Sequence, residues 1–229
     1  WRLQRIEHRQ LPRLDQVWAV SAADAEFFRD AGCAKVEVLP NIVPPSAFVP
    51  SAVPGTPGHA AFFGWMAYPP NADAVRYLIG LVSRSPAIRS LSLVGRDLPG
   101  DLVEALRGHP KIRYLGYAQD LKSALADAAV ILAPLASGGG TKLKVIEALA
   151  LGKPLVTTEI GAEGLNLVDG EHARIAPLGE AFDAAAEQLL HTPAQGLAMA
   201  ERGRRHVAAH FSIDTLTVAA RTALAAYSA

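Results

Sequence analysis

Short apolar runs alternate with amphipathic stretches along most of this chain. AAFFG (60–64), SLSLVG (90–95), IRYLG (112–116), AVILAPL (129–135), PLVTT (154–158) and HARIA (172–176) are brief, apolar and bounded by turn residues, and they predict strands. Between and after them, helical spacing of apolar positions predicts helices over 71–83, 99–107, 120–127, 141–151, 179–190 and 193–210. Short apolar strands alternating with amphipathic helices predict an α/β fold. Its core is a Rossmann-like parallel sheet with helices on both faces. In such sheets ligands bind beyond the carboxyl ends of the strands.

The first part of the chain has a different pattern. VWAVS (17–21) and KVEVLPN (35–41) predict two short strands, and Ser21 predicts an N-cap for a helix that Gly32 ends. Before them, RLQRIEHRQLPRL (2–14) repeats Arg2, Arg5, Arg9 and Arg13 near helical spacing, with Pro12 limiting the helix. This predicts either a solvated helix packing one apolar side or a basic helix lying on a membrane or another domain. The stretch 43–57 carries Pro44, Pro45, Pro50, Pro54 and Pro57 and predicts a linker or wrapping loop.

Composition narrows the function classes. Lys+Arg and Asp+Glu both number 22, a formal net charge of +0, so no nucleic acid is expected as a partner. Cys33 is the single cysteine, which excludes an internal disulfide and a cysteine-rich metal site and fits a reducing, cytoplasmic setting. The seven histidines lack metal-ligand spacing, and no metal is expected. No apolar run has the length of a membrane span. No GxGxxG follows a strand, which disfavours a nicotinamide cofactor, and there is no nucleophile elbow or HExxH. A chain that begins at Trp1 without a signal-peptide pattern is expected to be part of a longer protein.

The most specific chemistry is in SGGGTKLKVIEALALG (137–152). Small residues follow an apolar strand and precede a helix, so backbone N–H groups and a helix N-terminus converge on one point, which suits a diphosphate. Gly138, Gly139, Gly140 and Thr141 are therefore candidate phosphate-binding residues. A tight turn needing positive φ would account for one glycine rather than three. Lys142 and Lys144 are expected in the first helical turn, where cations oppose the dipole unless an anion binds. Lys142 is the candidate phosphate ligand; Lys144 reads equally as a solvated stem. Glu147, flanked by apolar residues, needs a partner and suits the hydroxyls of a ribose. Diphosphate plus sugar implies a nucleotide or nucleotide sugar.

Other strand ends supply weaker candidates. Gly64 permits close backbone approach, and Trp65 and Tyr68 suit either the wall of a sugar or base site or packing. Arg96 suits phosphate or a surface pair with Asp97. Gly116 and Tyr117 close the next strand, where backbone groups suit a base. Glu163 in IGAEG (160–164) suits a sugar contact or a turn cap.

The ordered set VWAVS, VLPN, FFGWMAYPPNADAV, LVG, LGY, LAPLASGGGTKLKVIEALALGKPLVTTEIGAEGL and HFSIDTL resembles the retaining family-4 glycosyltransferases of the GT-B fold over nearly the whole chain. The glycine block is its specific part. The resemblance implies the C-terminal, donor-binding half of an enzyme whose cleft lies between two Rossmann-like domains. It implies a nucleotide-sugar donor and no metal. By it, 1–58 is a crossover and linker segment left from a missing N-terminal acceptor-binding domain, 59–210 is the nucleotide-sugar-binding domain, and 211–229 is a helix packing back across the cleft. The implied reaction is hexosyl transfer to a hydroxyl with retention. Lys142 and Glu147 are its candidate catalytic residues and Glu147 its ribose ligand. The fragment alone is expected to turn over little.

The match has gaps. The family carries two glutamates with seven residues between them; Glu147 falls on the second and Gly139 on the first. Many members carry an arginine and then a lysine after the glycine of the first strand, where this chain has Trp65 and no lysine nearby. Lys142, Arg96 and the backbone of 139–141 are the expected compensation. The alternatives are a non-catalytic nucleotide or sugar-phosphate binding module, and a related enzyme that hydrolyses or epimerises nucleotide sugars. Membrane association of the full-length parent, peripheral on the inner face, stays open.

Overall fold

The computed structural model describes residues 10–48, 53–138 and 140–228. From the proline stretch onward, six parallel strands form one sheet: β3 (His59–Phe63), β4 (Ser90–Val94), β5 (Ile112–Gly116), β6 (Val130–Ala133), β7 (Leu155–Thr157) and β8 (Arg174–Ile175), in the order β5-β4-β3-β6-β7-β8. The helices are α2 (Pro69–Arg84), α3 (Gly100–Leu106), α4 (Leu121–Ala124), α5 (Leu143–Ala150), α6 (Glu159–Ala162), α7 (Glu180–His191) and α8 (Pro193–His210). The strand order reverses between β3 and β6, the switch point at which doubly wound sheets open a crevice.

Alternation along each strand splits the core in two. On β3, Phe62 packs with Leu78, Leu93 and Phe182 on one face. Its neighbours Ala61 and Phe63 pack with Ile131, Ile146, Leu149 and Val207 on the other. The central strands β3, β6 and β7 are covered on both faces and read as largely apolar runs, whereas the edge strand β5 exposes Arg113, Tyr114 and Leu115. Leu93 and Phe62, both fully buried, show how completely α2 and α7 close the first face.

Ahead of this domain, β1 (Val17–Ala19), α1 (Ala22–Asp30) and β2 (Val36–Val38) form a separate parallel βαβ unit. Its own small core includes Leu11, Ala25 and Cys33. The Ser21 cap is present: its hydroxyl oxygen accepts from the Asp24 N–H at 3.1 Å. Of the expected basic helix, Trp1–Arg9 lies outside the described residues, and Leu11–Arg13 is a single 3-10 turn opened by Pro12. The closing helix α9 (Ile213–Ser228) returns to this unit, where the Gln16 side-chain amide donates to the Ala223 carbonyl at 3.1 Å. The Val43 N–H donates to the Phe211 carbonyl at 2.8 Å, joining the proline stretch to the start of that return.

Several expected elements are shorter. The helix expected over 120–127 is one turn, Leu121–Ala124, capped by Asp120, because the chain must reach β6 within a few residues. The helix expected from Thr141 begins at Leu143: Lys142 is its N-cap, with φ −81° and ψ 73°, so Thr141 and Lys142 belong to the loop. A short helix, Glu159–Ala162, occupies part of the expected IGAEG loop because Thr158 caps it.

Thr158 also fixes the strand end that carries the glycine block. Its hydroxyl donates to the Leu135 carbonyl at 2.6 Å and accepts from the Gly161 N–H at 3.1 Å, both buried. Thr158→Val removes a cap and leaves two buried backbone groups without partners. It is expected to lower stability by about 2 kcal/mol in urea unfolding. An unchanged midpoint would show that these bonds are replaced at no cost.

Candidate active site

At the switch point, β3 ends in Phe63 and Gly64, and β6 hands over to the glycine loop and α5. A pocket of about 300 Å³ opens between them. Its β3 side is Gly64, Trp65, Tyr68 and Asn71; its β6 side is Gly138, Thr141, Lys142, Lys144 and Glu147. A second pocket of about 210 Å³ shares the wall Phe63, Gly64 and Trp65 and adds Arg96 and Tyr117. A third hollow of about 370 Å³, under Pro44 and Asp120, reaches Glu147 from the other side. A larger hollow of about 610 Å³ lies between the 13–18 segment and Leu224, but none of its lining residues belongs to the six-stranded sheet. Chemistry rather than size therefore places the site at the switch point.

The glycine loop is a turn in which Gly138 has φ 128° and Gly140 has φ 67°. Conformation is part of what these glycines supply, since a Cβ on either would meet nothing closer than 3.8 Å. Gly139 lies outside the described residues. The loop delivers the first turn of α5 to the pocket; there the Leu143 N–H donates to the Thr141 carbonyl at 3.0 Å and the Val145 N–H to the Lys142 carbonyl at 2.8 Å. Thr141 Oγ1 donates to the Val20 carbonyl at 3.4 Å, so the loop also touches the end of β1.

Lys142 is buried, 7% exposed, and its Nζ donates to the Gly140 carbonyl at 2.9 Å. Its ammonium lies 3.4 Å from Glu163 Oε2, so Glu163 serves this loop from the turn after α6. Lys144, two residues on, is not a solvated stem. Its Nζ donates to Asn71 Oδ1 and stands 4.6 Å from the centroid of the Phe62 ring. Burial lowers its pKa to about 8, against the opposing pull of the Glu147 carboxylate. Glu147 follows one turn later on the same face of α5. Burial raises its pKa, and the Lys144 ammonium works against that rise.

Asn71 is the residue that sequence reasoning missed. It is 5% exposed at the start of α2. Its Nδ2 donates to the Trp65 carbonyl at 2.7 Å while its Oδ1 holds Lys144. The signal was an asparagine on the helix face shared with Ala74, Val75 and Leu78, and the three-residue spacing of Lys144 and Glu147.

The β3 loop is held from both sides. Trp65 stacks on Tyr68 with centroids 6.5 Å apart and planes at 12°, and its Nε1 donates to Asp97 Oδ2 at 2.8 Å. Arg96 forms the surface pair, 3.6 Å from Asp97 Oδ2, and it also lines the second pocket. The Gly116 carbonyl accepts from the Gly95 N–H at 2.8 Å, and Tyr117, 74% exposed, lines that same pocket. Gly64, Gly138, Thr141, Lys142 and Glu147 thus share one pocket, while Arg96 and Tyr117 gather in its neighbour through the common Gly64 wall.

Among the described residues, no three His, Cys, Asp or Glu side chains stand together to hold a metal ion. No helix among them is long and apolar enough to cross a membrane.

Comparison with known proteins agrees with this architecture. Over 111 residues the chain is 34% identical to the phosphatidyl-myo-inositol mannosyltransferase of Mycolicibacterium smegmatis, covering 46% of this chain and 28% of that protein. The structure of a variant of TarM from S. aureus, solved with fondaparinux, alpha-GlcNAc-glycerol and UDP, superposes with a TM-score of 0.81 at 12% identity. That match covers 97% of this chain and 46% of TarM. HepE from Anabaena, solved with UDP, gives a TM-score of 0.79 at 18% identity over 97% of this chain and 67% of HepE. The chain therefore spans less than half the length of the mannosyltransferase and of TarM. The family model described as glycosyl transferases group 1 matches residues 58–192, so with its switch-point pocket and glycine loop the chain belongs to that family.

Proposed function

We propose that this chain is the donor-binding part of a glycosyltransferase that moves a hexosyl group from a nucleoside diphosphate to a hydroxyl acceptor. The observation that carries the reading is the convergence of the glycine loop, the start of α5, Lys142 and Glu147 on one pocket at the switch point. UDP accompanies both TarM and HepE in their solved structures, which supports a nucleoside diphosphate here. The diphosphate sits at the loop and helix start, and Glu147 accepts from the ribose. As the glycosidic bond breaks, negative charge grows on the leaving diphosphate, and fixed N–H donors and Lys142 stabilise it most in the transition state. This division of labour assigns charge neutralisation to protein groups and uses no metal. Retention of configuration rests on the resemblance to family-4 enzymes alone.

In this reading the βαβ unit and α9 belong to the boundary with an acceptor-binding domain elsewhere in a longer parent, whose peripheral attachment to a membrane is part of the proposal. A second reading, a binding module without catalysis, draws on Gly139 standing where the family carries a glutamate and on Trp65 standing where it carries an arginine. Thermal-shift measurements with UDP, GDP, ADP and their sugars test binding, and transfer assays on the parent separate the two readings: binding without transfer favours the module.

Lys142→Ala tests the phosphate role. It is expected to weaken nucleoside diphosphate binding about ten- to hundredfold, the loss of one charge-assisted bond, and nucleoside binding within about twofold. Equal losses for both ligands would remove Lys142 from the phosphate site.

A further inference from the structure

Lys144 has an unusual setting for a lysine. Buried ammonium groups normally sit against a carboxylate. Among the described residues, the hydrogen-bond partner of Lys144 Nζ is the neutral amide oxygen of Asn71. Asn71 is itself fixed, since its amide nitrogen holds the Trp65 carbonyl at 2.7 Å. The Phe62 ring closes the other side at 4.6 Å. The ammonium stands beside the end of β3, where a Cβ on Gly64 would come within 3.4 Å of Nζ.

The rest of the pocket explains why a cation is held there. No basic residue lies between Gly64 and Asn71, so the β3 loop brings no positive charge. Lys142 is already engaged with the Gly140 carbonyl and Glu163. Among the described residues, the carboxylate that pulls on Lys144 is Glu147, a turn away on α5. From the other elements, α2 presents neutral Asn71, β3 presents Phe62, the β3 loop presents Tyr68, and the glycine loop presents Lys142. An ammonium held desolvated at a pocket wall without a bonded counter-ion is suited to receive an anionic ligand.

We propose that Lys144 is the ammonium that grips the donor's diphosphate from the β3 side of the pocket, with Asn71 as the residue that positions it. The inference rests on the donor-site reading above. It gives the diphosphate two flanking cations: Lys142 from the glycine-loop side and Lys144 from the β3 side.

The test is calorimetric binding of ADP, UDP and GDP to the full 229-residue chain at pH 7 and pH 9. Burial places the free ammonium's pKa near 8, and a bound diphosphate would raise it, so binding takes up a proton where the free lysine is neutral. Wild-type affinity is expected to fall about tenfold from pH 7 to pH 9 relative to Lys144→Met, which carries only the ligand's own titration. Lys144→Arg, which stays charged, is expected to abolish that relative fall. Lys144→Met is expected to bind at least about tenfold more weakly at pH 7. In the free protein the sign is opposite. Between pH 8 and 10.5 the unfolded chain binds more protons at this site, so the cost of burying the charge fades as pH rises. Lys144→Met should therefore unfold at no lower urea concentration than wild type at pH 7. If it fails to fold, the Lys144→Arg profile decides. Equal binding by wild type and Lys144→Met, or a pH profile unchanged in Lys144→Arg, would overturn the inference while leaving the donor site standing. If none of the three nucleotides binds wild type, the donor-site reading falls and this inference with it.

Discussion

Gly95→Ala is expected to cost about 3 kcal/mol or more of folding stability, at the upper end of overpacking effects, and to deform the β3 side of the pocket. A Cβ built on Gly95 stands 1.8 Å from the Gly64 carbonyl oxygen and 2.9 Å from its carbon. Both obstacles are backbone, and they are fixed: the Gly64 N–H donates to the Val94 carbonyl at 3.0 Å, and the Gly95 N–H donates to the Gly116 carbonyl at 2.8 Å. Three strand ends meet at this point, so no flexible side chain can yield. Gly95 also has φ 153°, which an alanine adopts only with strain. Relief requires β3 and β4 to separate where Gly64 and Trp65 form the wall common to both pockets. Urea unfolding measures the stability loss, and nucleotide titration of the folded fraction measures the damage to the site. A wild-type midpoint would mean that the strand ends are not as closely packed as described.

Glu147→Ala is expected to weaken nucleotide binding about ten- to hundredfold, the loss of a charged hydrogen bond to ribose. The contact is to the sugar, so nucleoside and nucleoside diphosphate should lose affinity by the same factor. That distinguishes it from Lys142→Ala, which acts on the phosphates. Folding should change little, because relief of the desolvated Glu147 carboxylate offsets the loss of its pull on the Lys144 ammonium. Binding carries a pH signature. The carboxylate accepts from the ribose hydroxyls only when ionised, and burial raises its pKa. Acidification should therefore weaken wild-type binding at a higher pH than an ordinary glutamate would. Unchanged affinity in Glu147→Ala, in a protein that melts normally, would take Glu147 out of the ribose site.

Much of this architecture was legible in the residues. Each expected strand of the main sheet is present; the doubly covered central strands write themselves as apolar runs, and the edge strands were marked by the turn residues that bound them. The turn chemistry of 137–141 marked the loop at the switch point, which depends on composition within a few residues. Element ends were less legible. A single turn at 121–124 and an N-cap at Lys142 are set by the distance to the next strand and by loop torsions, neither of which helical periodicity encodes. The largest gap was Lys144 with Asn71. These residues lie 73 positions apart, and their bond exists because the sheet places β3 beside β6. A lysine on an amphipathic helix has the same local pattern whether its ammonium meets water or a buried amide.

The ridge formed by Phe63, Gly64 and Trp65 has a consequence for how this protein diverges or is redesigned. It is a party wall: one compartment holds the loop and the lysines, and the other holds Arg96 and Tyr117. Moving the wall to admit a bulkier group on one side narrows the other by the same displacement. Selectivity in the two compartments is therefore mechanically yoked, and substitutions that retune one without disturbing the other belong on the far walls, at Tyr117 or Thr141, rather than at the partition.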